Sequence, residues 1–249
     1  MNNTDFESRM RSFEYFHSLK LPPETWTVIR VDGRSFTKFT GKDFDRPFDI
    51  RFSEAMANSA IQMIENLHGI YAYTESDEIS VLFPPSWDLF DREVEKLVSV
   101  SASIPAAYIS KQFDSLVQFD SRIWIGISEE HVIDYFRWRQ ADALRCCLNG
   151  WCYWMLRKEG KNEKEATKTL YKQDVAFKNE LLFQRGINFN EVPLWQRRGV
   201  GCYWETYQKE GYNPVKKEKV IADRRRVVAN RELPTGDEYK YFLSRIMKS

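Results

Sequence analysis

The sequence predicts an α+β domain built on the split β-α-β, or ferredoxin-like, plan. Short β-branched runs alternate with longer segments whose apolar residues recur every three or four positions. The order of these segments is β-α-β-β-α-β, followed by further helices and two alternating strands. Right-handed crossovers then place the first strand beside the third, in the middle of an antiparallel sheet.

Each predicted element has its own signal in the sequence. An amphipathic helix at about 6–19 stops before Pro22-Pro23, because proline cannot continue a helix. The sheet unit that follows contains, in order, a strand at 26–31, a helix at 48–67, strands at 70–73 and 78–83 around a TESD turn, a helix at 89–113 that Pro105 is expected to kink or split, and a strand at 119–127. The later elements are helices at 129–157, 163–171 and 175–184, with strands at 200–207 and 220–228. We therefore expect a sheet domain at 1–128 and a helical and β-ribbon elaboration at 129–249 that packs on it.

Composition bounds the class of protein. The formal charge of the 249 residues is +1, which argues against a strongly basic nucleic-acid binder while allowing a local basic face. The four cysteines show no CxxC pairing, so they are expected to be core thiols in a reducing cytosol. The polar start is no signal peptide, and no apolar run approaches the ~20 residues of a membrane span. These features predict a cytoplasmic protein.

Two acidic motifs fall where this topology brings them together. Asp32 ends the first strand, and Asp77 and Glu78 open the third. A pair of carboxylates at one sheet edge can hold two divalent cations, as in enzymes that transfer nucleotidyl groups. Consecutive strand residues face opposite sides, so only one of Asp77 and Glu78 is expected to face the metals with Asp32. We choose Asp77 and expect Glu78 to support it.

The stretch DGRSFTKF after the first strand has the features of a phosphate-binding turn. Gly33 allows a sharp turn and close approach to a ligand, and the following backbone amides, the hydroxyls of Ser35 and Thr37 and the cations of Arg34 and Lys38 could surround a triphosphate. An ordinary Asp-Gly turn is the competing interpretation.

Other basic residues leave two interpretations open. Arg30 and Arg46 flank the phosphate-binding motif, where they could contact phosphates or form surface salt bridges. Residues 209–226 contain three acids and seven basic residues: Lys209, Lys216, Lys217, Lys219, Arg224, Arg225 and Arg226. This segment is either an RNA-facing ribbon or a solvated charge run.

Five ordered blocks of the sequence resemble a known family. VIRVDGRSFTKFT, DRPFD, YTESDEISVLF, YFRWRQAD and FKNELLF, spread over residues 9–205, look like the histidine-tRNA guanylyltransferase family and its guanylyltransferase-like relatives. These enzymes add nucleotides to RNA 5′ ends in the 3′-to-5′ direction. The resemblance implies a domain like the palm of polymerases, with tRNA and nucleoside triphosphates as partners and a homotetrameric assembly.

The resemblance also implies roles for particular residues. Asp32, Asp77 and the Gly33 carbonyl would hold two Mg²⁺ ions, and Glu78 would join the two aspartates as catalytic residues. ATP or GTP would be bound by the residues of the turn and by one serine before Asp77: Gly33, Arg34, Ser35, Phe36, Thr37 and Ser76. Contacts to RNA or phosphate would come from Arg30, Arg46, Arg139 and Lys178.

Departures from the family pattern favour one branch of it. Leu144-Arg145-Cys146-Cys147 stands where eukaryotic members carry His-x-Asn-Asn, Thr37 replaces a histidine and Arg46 a lysine. The chain therefore looks like the bacterial and archaeal guanylyltransferase-like proteins, which restore missing 5′ nucleotides of tRNA against the opposite strand. The alternatives are a nucleotidyl cyclase-like enzyme acting on free nucleotide and a non-catalytic tRNA-binding module.

Overall fold

The computed structural model describes residues 3–41, 43–213 and 218–248. Its first half contains α1 (Asn3–Arg11), β1 (Trp26–Arg34), α2 (Phe36–Phe39), α3 (Ile50–Leu67), β2 (Tyr71–Glu75), β3 (Glu78–Phe83), α4 (Val94–Phe113) and β4 (Gln118–Gly126). Its second half contains α5 (Glu129–Lys158), α6 (Glu163–Leu170), α7 (Val175–Phe183), α8 (Leu194–Arg198), β5 (Val200–Asn213), β6 (Glu218–Asn230) and α9 (Gly236–Met247).

The strands of the described residues form one sheet in the order β4-β1-β3-β2-β5-β6. The first four follow the predicted split β-α-β order, with β1 antiparallel to both β3 and β4, so the predicted fold class is confirmed. Beyond them, β5 pairs with β2, and β6 pairs with β5 along its whole length. The elaboration thus extends the sheet itself in addition to packing helices on it.

Alternation along β1 divides the core between the two faces of the sheet. Ile29 and Val31 point to one face and pack with α3 and α4. Val28 points to the other face and packs with α5 and α9. Successive strand residues face opposite sides, so Arg30 and Asp32 share the face of Val28. The charged end of β1 therefore lies on the α5 side.

Two predicted helices differ from the structure at their ends. The N-terminal helix ends at Arg11 instead of near residue 19, and the apolar residues of its predicted face are exposed: Phe6, Met10, Phe13 and Phe16. That pattern has no core to pack against within the chain. The helix predicted from residue 89 begins at Val94, because a turn with left-handed backbone at Phe90 and Asp91 precedes it. Pro105 is buried within α4, which continues through it.

The C-terminal helix α9 is not among the predicted elements, and neither are the short helices α2 and α8. The signal for α9 is present in the sequence, since Tyr239, Leu243 and Ile246 recur at helical spacing. These residues are buried against the α5 side of the sheet. Among the helices that the structure describes, none is long and apolar enough to cross a membrane.

Candidate active site

The carboxylates of the two acidic motifs meet at one end of the sheet. Asp32 lies directly opposite Glu78 in the β1–β3 register. One residue further, the Gly33 amide donates to the Asp77 carbonyl at 3.0 Å, which joins the end of β1 to the turn before β3. Burial raises the pKa of Asp77, and the charge of Asp32 adds to that shift. The structure thus brings Asp32 and Asp77 together as the topology predicts.

The use of strand alternation to choose Asp77 over Glu78 is wrong, because Glu78 is the residue that shares the face of Asp32. Asp77 lies in the turn before β3, so alternation does not fix its direction, whereas Glu78 shares the face of its partner Asp32. The Glu78 carboxylate is already bound by an arginine, as described below. The Asp77 carboxylate accepts one bond from the neighbouring Ser76 hydroxyl at 3.0 Å. Asp77 is therefore the more available ligand.

Arg139 on α5 binds carboxylates at this end of the sheet. Its Nε and Nη2 donate to the two oxygens of Glu78 at 2.7 and 2.8 Å, and Nη2 also lies 2.7 Å from Glu75. A third acid, Asp142 on the same helix, is 3.2 Å away. The arginine is buried, with only 6% of its surface exposed. The predicted RNA contact of Arg139 is therefore wrong, because its guanidinium faces carboxylates in the interior.

Glu75 is an acid of this cluster that the sequence analysis does not single out. Burial raises its pKa to about 8, and the charges of Glu78 and Asp142 act in the same direction while Arg139 opposes them. Burial likewise raises the pKa of Glu78. A signal for Glu75 exists, because it follows Tyr71 and Tyr73 at strand spacing on the α5 face.

The phosphate-binding turn begins at Gly33 and continues into α2. A Cβ at Gly33 would lie 2.4 Å from the Phe36 ring, so the close fold of this turn requires glycine. Ser35 has a left-handed backbone with φ of 62°. Arg34, Ser35 and Thr37 are exposed, as a phosphate-binding role requires. Phe36 is buried among other phenylalanine rings, so its side chain is not available to a ligand.

A cleft opens beside Ser76, between the loop before α3 and helices α5 and α8. Its walls come from both halves of the chain and include Phe44, Arg46, Phe48, Asp49, Glu75, Cys146, Cys147 and Trp195. Arg46 is held there by the Thr40 carbonyl and hydroxyl, and its guanidinium lies 4.9 Å from the centre of the Trp154 ring. Burial lowers the pKa of Arg46. A lining of aromatic rings with a few polar side chains suits a nucleobase.

The other basic residues that the sequence predicts as phosphate or RNA contacts lie in three separate places. The Arg30 Nε is 3.7 Å from Glu78 Oε2, within the cluster. Lys178 is on α7, where its carbonyl accepts the Cys152 thiol at 3.4 Å, against the C-terminal half of α5. In the basic ribbon, Lys216 and Lys217 lie outside the described residues. The described arginines flank aromatic rings, with Arg226 over Tyr207 and Arg225 over Trp204.

Three of the four cysteines are core thiols, as predicted, and one is not. Cys147, Cys152 and Cys202 are buried, and burial raises their pKa values to about 12, 11 and 12. Cys146 is exposed and lines the cleft. The prediction for Cys146 is wrong because helical spacing turns it away from the neighbouring core residue Cys147.

The donor set at the sheet end suits magnesium. Among the described residues, no three acidic, histidine or cysteine side chains are grouped as metal ligands. Mg²⁺ needs fewer, because it keeps several waters and is bound by one or two carboxylates together with substrate phosphates. Asp32, Asp77 and the Gly33 carbonyl offer such a partial set. Burial is the main cause of the raised pKa of Asp77 and the charge of Asp32 adds to it, so a bound cation would stabilise both carboxylates in their charged form.

Comparison with known proteins assigns the chain to a family. A family model described as tRNAHis guanylyltransferase matches residues 7–129, and one described as Thg1 C terminal domain matches residues 130–237. This chain belongs to the tRNAHis guanylyltransferase family. The resemblance seen in the sequence, and with it the predicted class of nucleotidyltransferase, is confirmed.

Relatives in the tRNAHis guanylyltransferase family are similar along most of their length. The tRNA(His) guanylyltransferase of Schizosaccharomyces pombe is 34% identical over 236 residues, which span 87% of this chain and 90% of the relative. A bacterial Thg1-like protein solved in complex with GTP has a TM-score of 0.74 at 26% identity, covering 98% of this chain and 100% of that chain. A complex of such a bacterial protein with ATP gives the same TM-score at 25% identity, with the same coverage.

Proposed function

We propose that this protein extends the 5′ end of truncated tRNA in the 3′-to-5′ direction, using the opposite strand as template. The observation that carries the proposal is the pairing of Asp32 with Asp77 beside a cleft of suitable chemistry for a nucleobase. Family membership supports nucleotidyl transfer to tRNA, and the complexes of bacterial relatives with GTP and ATP support these nucleotides as ligands.

The reaction has two nucleotidyl steps. An oxygen of the tRNA 5′-monophosphate first attacks the α-phosphate of ATP or GTP and releases pyrophosphate. The 3′-hydroxyl of the incoming nucleoside triphosphate then attacks the activated 5′ phosphate and releases the nucleoside monophosphate. Both steps depend on positioning and charge stabilisation more than on a protein nucleophile. Burial raises the pKa of Cys146, and neither step needs this thiol as a nucleophile.

The residues at the sheet end divide the work of binding. Asp32, Asp77 and the Gly33 carbonyl would hold two magnesium ions. Glu78, which is bound by Arg139, would add negative charge beside them. When bound, magnesium lowers the pKa of an attacking hydroxyl and neutralises charge on the triphosphate and the leaving group. The turn from Gly33 to Thr37, with Ser76, would hold the triphosphate by backbone amides, hydroxyls and the Arg34 cation.

The proposal also gives roles to the cleft and the basic ribbon. The cleft would hold the base of the incoming nucleotide, with Arg46 at its mouth near the phosphates. The ribbon of β5 and β6 would contact RNA through cations stacked on tyrosine and tryptophan, a surface chemistry that suits nucleic acid. Lys178 on α7 would be a more distant phosphate contact.

Assembly and location complete the proposal. A homotetramer is supported by the exposed apolar side chains near the N-terminus, such as Phe13, Tyr15 and Phe16, which a single chain leaves uncovered. A mass measurement by light scattering tests it, and a monomer or dimer at micromolar concentration would contradict it. A cytoplasmic location is proposed because the tRNA substrate is found there.

The decisive experiment compares wild-type protein with Asp77→Asn and Asp32→Asn. Each is incubated with magnesium, all four nucleoside triphosphates and a 5′-truncated tRNA monophosphate, and the products are sized from their 5′ ends. We expect template-matched extension by the wild type and a loss of at least about 10³-fold in both variants. Asp91→Asn before α4 is the control, because Asp91 is exposed and paired with Lys20, and its neighbour Arg92 contacts Thr25 before the start of β1, at the other end of that strand from Asp32.

The same assay separates the two alternatives. Pyrophosphate release from free nucleotide without RNA would indicate a cyclase-like enzyme. RNA binding that is indifferent to magnesium and to loss of Asp32, without extension, would indicate a non-catalytic binding module. Extension retained in Asp77→Asn would contradict the metal assignment.

A further inference from the structure

A half-exposed tryptophan stands on the α5 side of the carboxylates and is not among the residues that line the nucleotide cleft. The side chain of Trp138 on α5 is 54% exposed, although most large aromatic side chains near the sheet are covered. Two guanidinium groups lie against its ring, that of Arg30 at 5.5 Å and that of Arg139 at 4.7 Å from the ring centre. Both arginines also contact Glu78, so Trp138 is one residue removed from the acidic cluster.

The orientation of the Trp138 ring is fixed by its neighbours. Tyr135, one turn earlier on α5, meets it edge-on with ring centres 5.7 Å apart. Tyr135 is buried, and its hydroxyl is 3.0 Å from that of Ser80 on β3. The ring is therefore held in place by the sheet while much of its surface remains open. A rigid, open aromatic surface is what stacking of a nucleobase requires.

Cations flank the platform on the side of β1 and β4. Arg30 on β1 lies opposite Arg122 on β4 in the register of the sheet, and opposed residues share a face. Arg122 is half-exposed and its partner is Asp120 at 2.8 Å. Within the described residues, Arg30 Nε is buried and has no hydrogen-bond partner, only the ion pair with Glu78 at 3.7 Å. The half-exposed Arg122 guanidinium can reach a phosphate, and the incompletely paired charge of Arg30 beside it favours an anion there.

We propose that Trp138 is the stacking platform for the 5′-terminal base of the RNA, with Arg30 and Arg122 beside its phosphate. This inference rests on the proposed function. The incoming nucleotide would have its own cleft, which is lined by Phe44, Phe48 and Trp195 and not by Trp138. The second reactant must reach Asp32 and Asp77 from another direction, and the exposed aromatic surface next to them lies on the α5 face.

The test replaces Trp138 by leucine and by tyrosine. Leucine keeps apolar cover over the two guanidinium groups but cannot stack, and tyrosine keeps an aromatic face. We expect Trp138→Leu to raise the KM for 5′-truncated tRNA about ten-fold, and Trp138→Tyr to remain within about two-fold of the wild type. The Kd for GTP should not change in either variant. Tyr241→Leu on α9 is the matched control, because Tyr241 is 68% exposed on another helix.

A spectroscopic readout isolates stacking from a structural role. The RNA carries 2-aminopurine as its 5′-terminal base, and a second RNA carries it at an internal position. Wild-type protein should quench the terminal probe and leave the internal one unchanged, and Trp138→Leu should abolish the quenching at saturating protein. Unquenched terminal probe with the active wild-type enzyme would overturn the stacking proposal while leaving the proposed function intact. Loss of GTP binding in Trp138→Leu would show that the residue only supports the fold.

Discussion

At the scale of single residues, Arg139 decides which carboxylates remain free at the sheet end. It joins Glu75, Glu78 and Asp142 through hydrogen bonds of 2.7–3.2 Å. These bonds occupy Glu78, whereas the Asp77 carboxylate interacts with the neighbouring Ser76 hydroxyl and with its own backbone amide. Arginine suits this position because its planar fork binds two oxygens of one carboxylate at the same time. One buried cation thus allows several acids to lie close together without a metal.

Replacing Arg139 by methionine should destabilise the protein strongly. The change keeps most of the side-chain volume but leaves Glu75 and Glu78 buried without their cation, a loss of about 3–5 kcal/mol for a broken buried ion pair. Urea unfolding followed by tryptophan fluorescence at pH 7 measures the loss. Arg137→Met on the same helix is the control, because Arg137 is half-exposed and its nearest acid is 3.9 Å away. Equal midpoints for the two variants would contradict the account of the cluster.

At the scale of an element, Asp49 ties the cleft to helix α3. Its carboxylate accepts the Arg51 amide at the first turn of α3 and the Asp45 amide in the preceding loop, each at 2.8 Å. It also forms an ion pair with the Arg51 guanidinium at 2.6 Å. The Arg51 hydrogen bonds lower the pKa of Asp49 to about 2. A single cap therefore fixes both the start of the helix and one wall of the cleft.

The Asp49→Asn variant should lose stability in a manner that depends on pH. Asparagine can still cap the helix but cannot accept all the bonds or pair with Arg51, so we expect a loss of about 1 kcal/mol at pH 7. The folded-state pKa lies below the ordinary value of 3.8, so this contribution is present above pH 4 and disappears as pH falls toward 2. Denaturation midpoints across that range measure it, and a difference that grows on acidification would contradict the assignment.

At the scale of the whole molecule, the site is assembled from both halves of the chain. The carboxylates come from β1 and the β2–β3 turn, whereas the cleft beside them is closed by α5 and α8. The Arg139 that binds Glu78 is 61 positions away in sequence. Nucleotide binding should therefore change the accessibility of residues in the second half of the chain, among them Cys146.

Thiol labelling should report the cleft directly. Native protein at pH 8 should react with a colorimetric disulfide reagent at one fast cysteine, Cys146, because the other three are buried and burial raises their pKa values to about 11 or 12. GTP should slow that reaction, since Cys146 lines the cleft. Cys146→Ser provides the blank. Several equally fast thiols, or no protection by saturating GTP, would contradict the cleft as the nucleotide site.

The sequence by itself determined the arrangement of the first four strands, with β1 beside β3, and the meeting of Asp32 with Asp77, but not the extension of the sheet by β5 and β6. Strand alternation, helical spacing and right-handed crossovers are properties of the local chain and of topology, and they need no knowledge of distant partners. The same rules could not show that α1 ends early or that α4 begins at Val94, because those ends depend on packing and on left-handed turn residues. The helical spacing of the apolar residues of α9 is visible in the sequence, but over so short a segment it is too weak a signal to predict a helix.

Only the tertiary structure decided the partners of side chains. Arg139 is basic in the sequence, yet burial beside Glu75 and Glu78 makes it a structural cation instead of an RNA contact. Phe36 lies in a phosphate-binding motif, yet its ring belongs to the core. The exposed face of Trp138 has no signature that distinguishes it from a core aromatic. In each case, what the residue contacts depends on elements far apart in sequence, and only the packed chain brings those elements within van der Waals and hydrogen-bond distance.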